Sequence, residues 1–119
     1  MKNVLFLLLL ITSCQFKSSN ILIREKLTLD PDVGRKLVAT YGCASCHRIN
    51  GVSDNPGNLA PPLKNWKRRK YIAGVLPNTP ENLVRWIVAP QKILPGSAMP
   101  DYGVTEIEAW EMANYLYTQ

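Results

Sequence analysis

The sequence predicts an all-α domain, and three observations carry that prediction. Helix-capping signals occur at three separated places, apolar residues follow each at helical spacing, and no alternating strand pattern of useful length is present. The connecting stretches, such as NGVSDNPGNLAPPL and APQKILPGSAMPDYG, are long and rich in proline and glycine. Loops of that length in a compact domain usually wrap something or perform a function. Of the 119 residues, 46% are hydrophobic and 19% charged, which suffices for one small packed core plus a tail. A domain this small gains from added stabilisation, and a bound group can supply it.

The chain opens MKNVLFLLLLITSC. Lys2 provides a positive start, and the apolar run Val4–Ile11 is shorter than the ~20 residues that span a bilayer. It fits the apolar region of a signal peptide. The run ends in Ile11-Thr12-Ser13-Cys14, which resembles the lipobox of bacterial lipoproteins. That resemblance implies that residues 1–13 are a lipoprotein signal peptide and that Cys14 is the lipid attachment site. More than one acyl chain anchors a protein stably, facing the periplasm or the cell exterior. The bland alternative is a plain signal peptide with an incidental cysteine. Gln15 is not the aspartate that resembles an inner-membrane retention signal. Residues 14–29 are expected to form a lipid-anchored tether with a polar, flexible start. The folded unit is expected over residues 30–119.

Its first helix is predicted from Pro31 to about Tyr41. Asp30 is the N-cap, Pro31 takes the first helical position, Val33, Leu37 and Tyr41 share a face, and Gly42 ends the segment. A second helix is predicted over Pro80–Val88, capped by Thr79 and buried through Leu83, Trp86 and Ile87. The last starts at the capping box Thr105-x-x-Glu108 and runs for about 13 residues. A further short helix is expected near Arg69–Val75.

Directly after the first helix comes Cys43-Ala44-Ser45-Cys46-His47. Three chemistries use such a cluster. A redox dithiol of the thioredoxin kind needs a βαβ setting, whereas here a helix precedes the motif. A structural zinc needs four ligands, and this domain offers two cysteines and one histidine. Covalent haem attachment uses every residue of C-x-x-C-H: two thioethers and an iron ligand. His47 is the chain's one histidine, so a second iron ligand has to be of another type. Met112 falls on the apolar stripe of the last helix, where core packing explains it. Met99 sits in Pro95-Gly96-Ser97-Ala98-Met99-Pro100, a stiffened loop suited to presenting a thioether. Methionine opposite histidine raises the potential of haem iron.

Residues 30–119 resemble a class I cytochrome c, which implies helices wrapped around one covalently bound haem c. Gly34 matches the small residue at which the first and last helices cross, and Tyr115-Leu116 matches the partner position. Ala60-Pro61-Pro62-Leu63 matches the segment whose carbonyl, at Pro61, receives the histidine Nδ1–H. Trp86 through Met99 matches the segment that delivers the distal methionine. The resemblance therefore implies cofactor contacts at Cys43, Cys46, His47, Pro61, Trp86 and Met99, with His47 and Met99 as metal ligands. Arg68 and Arg69 are candidates to meet a haem propionate. Ala60 stands where the family usually has glycine, and Val38 where it often has an aromatic. The stretch from Ala73 to Glu106 is similar, more narrowly, to the cytochrome c domain fused to subunit II of bacterial haem–copper oxidases.

The implied function is that of an electron carrier rather than an enzyme, in a respiratory chain. Its redox partners would be a haem–copper oxidase or an upstream dehydrogenase. The alternative is a haem enzyme or sensor with an open axial position. The net charge of +5 is concentrated at Lys64, Lys67, Arg68, Arg69 and Lys70. No groove-reading helix or aromatic binding face accompanies that run, so nucleic acid is set aside in favour of a solvated loop or a patch that steers an acidic partner.

Overall fold

A computed structural model describes residues 30–119. Cys14, the signal peptide and the tether lie outside the described residues. Among those described, α1 spans Pro31–Thr40, α2 Pro80–Val88, α3 Pro90–Ile93 and α4 Glu106–Leu116. Two single-turn 3-10 helices occupy Cys43–Ser45 and Trp66–Arg68. No helix among the described residues is long and apolar enough to cross a membrane.

Local chemistry sets each boundary. Asp30 Oδ1 accepts from the Asp32 amide at 2.9 Å, and Thr79 Oγ1 accepts from the Asn82 amide at 3.2 Å. Both helices then begin with proline, whose missing N–H would have had no helical partner. At α4 the capping box is closed in both directions: Glu108 N–H donates to Thr105 Oγ1, and Thr105 N–H donates to Glu108 Oε2. Thr105→Ala is expected to cost about 1 kcal/mol, the usual worth of an N-cap, read from thermal unfolding.

Glu108 also accepts from the Tyr41 hydroxyl at 3.0 Å, which ties the end of α1 to the start of α4. The Thr105 hydroxyl and amide hold the Glu108 carboxyl below the usual carboxylate range. A lowered folded pKa means that this contribution is complete above the ordinary carboxylate pKa and fades as pH falls through the folded value. Glu108→Gln should therefore flatten the acid limb of a stability-against-pH curve while leaving its slope near pH 7 unchanged.

The core is built where α1 and α2 pack on α4. Val38, Leu83, Ile87, Met112 and Leu116 are buried there. Met112, at 1% exposure, has the packing role its place in the helix predicts. Gly34 is the point of closest approach. A Cβ at that position would lie 2.1 Å from the Glu111 carbonyl oxygen and 2.7 Å from Tyr115 Cβ.

The expected helix near Arg69–Val75 is not formed. Instead β1, Tyr71–Ile72, pairs antiparallel with β2, Leu76–Pro77. Ala73 and Gly74 both have positive φ, 50° and 74°, and the Val75 amide donates to the Ile72 carbonyl. That sign pattern belongs to a type I′ hairpin turn. Helix cannot pass through two left-handed residues, so the hairpin replaces it.

Candidate functional site

The Cys43–Ser45 turn follows α1 through Gly42, whose φ of 70° redirects the chain. The amides of Cys46 and His47 both donate to the Cys43 carbonyl, at 3.3 and 3.0 Å. This winds two thiols and an imidazole onto one short turn. A second segment straps along it. The amides of Gly57, Ala60 and Leu63 donate to the carbonyls of Ala44, Cys46 and Arg48, at 2.8, 3.0 and 2.8 Å. Gly57 packs so closely that a Cβ would fall 1.9 Å from the Ser45 carbonyl oxygen. The sequence carries no readable signal for Gly57, because the contact is between backbones far apart in the chain.

The strap brings the Pro61 carbonyl to 2.7 Å from His47 Nδ1. A carbonyl oxygen only accepts, so Nδ1 carries the proton and Nε2 keeps its lone pair. Cys43 and Cys46 are free, half-buried thiols. Burial pushes the Cys43 thiol up. Reactive dithiols are shifted the opposite way, so this is not the setting of an activated redox cysteine.

Of the eight candidate cofactor contacts in this domain, seven line one cavity of about 530 Å³: Cys43, Cys46, His47, Pro61, Arg69, Trp86 and Met99. Its volume lies within the ~300–1,000 Å³ typical of ligand and cofactor sites. A smaller space of about 70 Å³ shares Cys43, His47, Trp86 and Met99 and reaches Val38, Met112 and Leu116 in the core. Residues remote in sequence thus converge from the turn after α1, the strap, α2 and the loop after α3. Trp66 and Tyr71 also line the cavity. Arg68 is exposed and is not among the lining residues. Arg69 has its guanidinium 5.4 Å from the Trp66 ring centroid and donates to the Pro62 carbonyl.

This donor set fits haem c: two free thiols three residues apart, an imidazole with its tautomer fixed, and a thioether, all around an apolar cavity of cofactor size. The family model for cytochrome c matches residues 32–119. The chain is similar to cytochrome c oxidase subunit 2 of Alkalihalophilus pseudofirmus, 38% identical over 69 residues, covering 58% of this chain and 19% of that protein. It is also similar to cytochrome c oxidase subunit 2 of Bacillus sp. (strain PS3), 33% identical over 78 residues, covering 62% and 22%. The chain therefore matches about a fifth of the length of these relatives. No solved structure gives a significant match. The matched region contains every lining residue and, apart from Pro31 at the start of α1, each of the four α-helices described, and on that basis the chain belongs to the cytochrome c family.

Proposed function

We propose that this chain is a single-electron carrier with one haem c, held by thioethers from Cys43 and Cys46 and ligated by His47 Nε2 and Met99 Sδ. A cytochrome c domain is an electron-transfer haem protein, and the cofactor supplies the ferric–ferrous couple. The observation that carries the finer assignment is that His47 and Met99 line the same cavity as the two thiols. The Pro61 carbonyl holds the imidazole in one tautomer and one orientation, and it makes Nε2 a stronger donor. Trp86, Leu63 and Ile72 give the cavity apolar walls that exclude water. Arg69 stands at the wall with hydrogen-bonding capacity for a carboxylate.

Exposed Leu59, Tyr71 and Tyr102 rim the cavity, and Lys64, Lys67 and Lys70 are exposed on the segment that forms one wall. This is where a redox partner docks in a small, transient encounter steered by charge. The relatives' names support a terminal oxidase as that partner rather than an upstream dehydrogenase. A lipid at Cys14 anchors the carrier to the membrane.

The test is spectroscopic. Protein matured with haem should give a pyridine haemochrome of the two-thioether type and a weak methionine-to-iron band in the ferric state. High-spin ferric bands in place of that feature would reject the carrier reading in favour of an open-site enzyme or sensor. Absence of covalent haem would reject both.

A further inference from the structure

Met99 sits in a loop that has little secondary structure to hold it. Its backbone groups are both held by side chains: the amide donates to Ser97 Oγ at 3.2 Å, and the carbonyl accepts from Gln91 Nε2 at 2.7 Å. Proline on its C-terminal side removes one further backbone donor. Something outside regular structure therefore has to fix where Met99 is.

Gln91, half-buried on α3, does this with its whole amide. Nε2 donates to the carbonyls of both Ser97 and Met99, at 2.8 and 2.7 Å. Oε1 accepts from the Gly96 amide at 3.1 Å. Gly96 has a φ of 80°, the turn that folds the loop back over the side chain. Asp101 Oδ1, beyond the methionine, accepts from the Gln91 backbone amide at 3.2 Å, so the loop is pinned on both sides of Met99. A primary amide suits this task because it combines two donors with an acceptor on one flat group. A carboxylate in the same place would turn a negative charge toward two carbonyl oxygens.

We infer that Gln91 is a positioning residue: it sets the strength of the iron–methionine bond by fixing the Met99 backbone without touching the sulfur. This rests on the assignment of Met99 as a ligand. A loop held less firmly leaves the thioether free to swing away, and an added ligand then competes for the iron more easily.

The experiment compares ferric, haem-loaded wild type with Gln91→Leu, Gln91→Glu and the neighbouring exposed control Lys92→Ala. Imidazole is titrated while the methionine-to-iron band is followed. Gln91→Leu and Gln91→Glu at pH 8 should bind imidazole roughly tenfold more tightly than wild type, as expected for losing two or three hydrogen bonds. Lys92→Ala should match wild type. Measured against wild type at the same pH, Gln91→Glu should also lose its excess affinity for imidazole as pH is lowered toward 5, because a protonated carboxyl regains a donor, whereas the excess of Gln91→Leu should persist. If wild type shows the band and both Gln91 variants bind imidazole within twofold of it, the inference falls while the ligand assignment stands. If wild type itself lacks the band, the ligand assignment falls and this inference with it. Helical circular dichroism equal to wild type separates a loosened loop from a misfolded domain, and a collapse of helicity in both variants would also overturn a purely positional role.

Discussion

Met99→Ala should abolish the methionine-to-iron band and open one axial position of the ferric protein. The substitution removes the thioether that lines the cavity together with His47, and it leaves the His47–Pro61 pair untouched. With Met99 as the proposed ligand, loss of a soft thioether that favours ferrous iron should lower the potential by on the order of 0.1–0.2 V, a fraction of the ~0.8 V that axial ligation spans. Electron delivery should fail while covalent haem content stays at the wild-type level. Met112 makes the result decisive, because it too reaches the smaller space beside the site. A band that survives Met99→Ala would transfer the ligand role to Met112.

Gly34→Ala should be the most damaging single-methyl addition in the helices. In an ordinary helix interior this exchange stabilises by about 0.5–1 kcal/mol. Here the new Cβ would lie 2.1 Å from the Glu111 carbonyl oxygen, a backbone atom that cannot swing aside. α1 and α4 have to part, which costs roughly 3 kcal/mol of packing and outweighs the propensity gain. For a domain of this size that is a fall in melting temperature of roughly 10–20 °C. A melting temperature equal to or above wild type would refute the tight crossing.

What could be read from the sequence was whatever is decided locally or carried by a motif. Asp30, Thr79 and Thr105 cap their own helices within three residues, and all three starts appear where those residues place them. Cys43, Cys46 and His47 point to one of three chemistries by spacing, and the preceding helix and the ligand count favour haem attachment, while the resemblance to class I cytochromes c marks Gly34, Pro61 and Met99. What escaped reading depends on contacts between distant backbones or on unusual local geometry. The Ala73–Gly74 turn lacks the Asn-Gly or Asp-Gly signature of its class, so the sequence pattern points to a helix where a hairpin forms. Gly57 acts through backbone contacts with Ala44, Ser45 and Cys46, more than ten positions earlier. Gln91 looks like any polar residue on a short helix until the loop of Met99 is folded over it.

The crossing of α1 and α4 also bears on the speed of folding. Tyr41 and Glu108, 67 positions apart, meet across it. Bringing such remote segments together costs loop-closure entropy before any contact rewards it. Short-range helical turns form in under a microsecond, but this step waits on a search across most of the domain. Whatever draws the Cys43–His47 turn and the Met99 loop toward a common centre shortens that search. Cofactor attachment would then act as a folding accelerator, and refolding of the apo chain should be slower than that of the loaded protein.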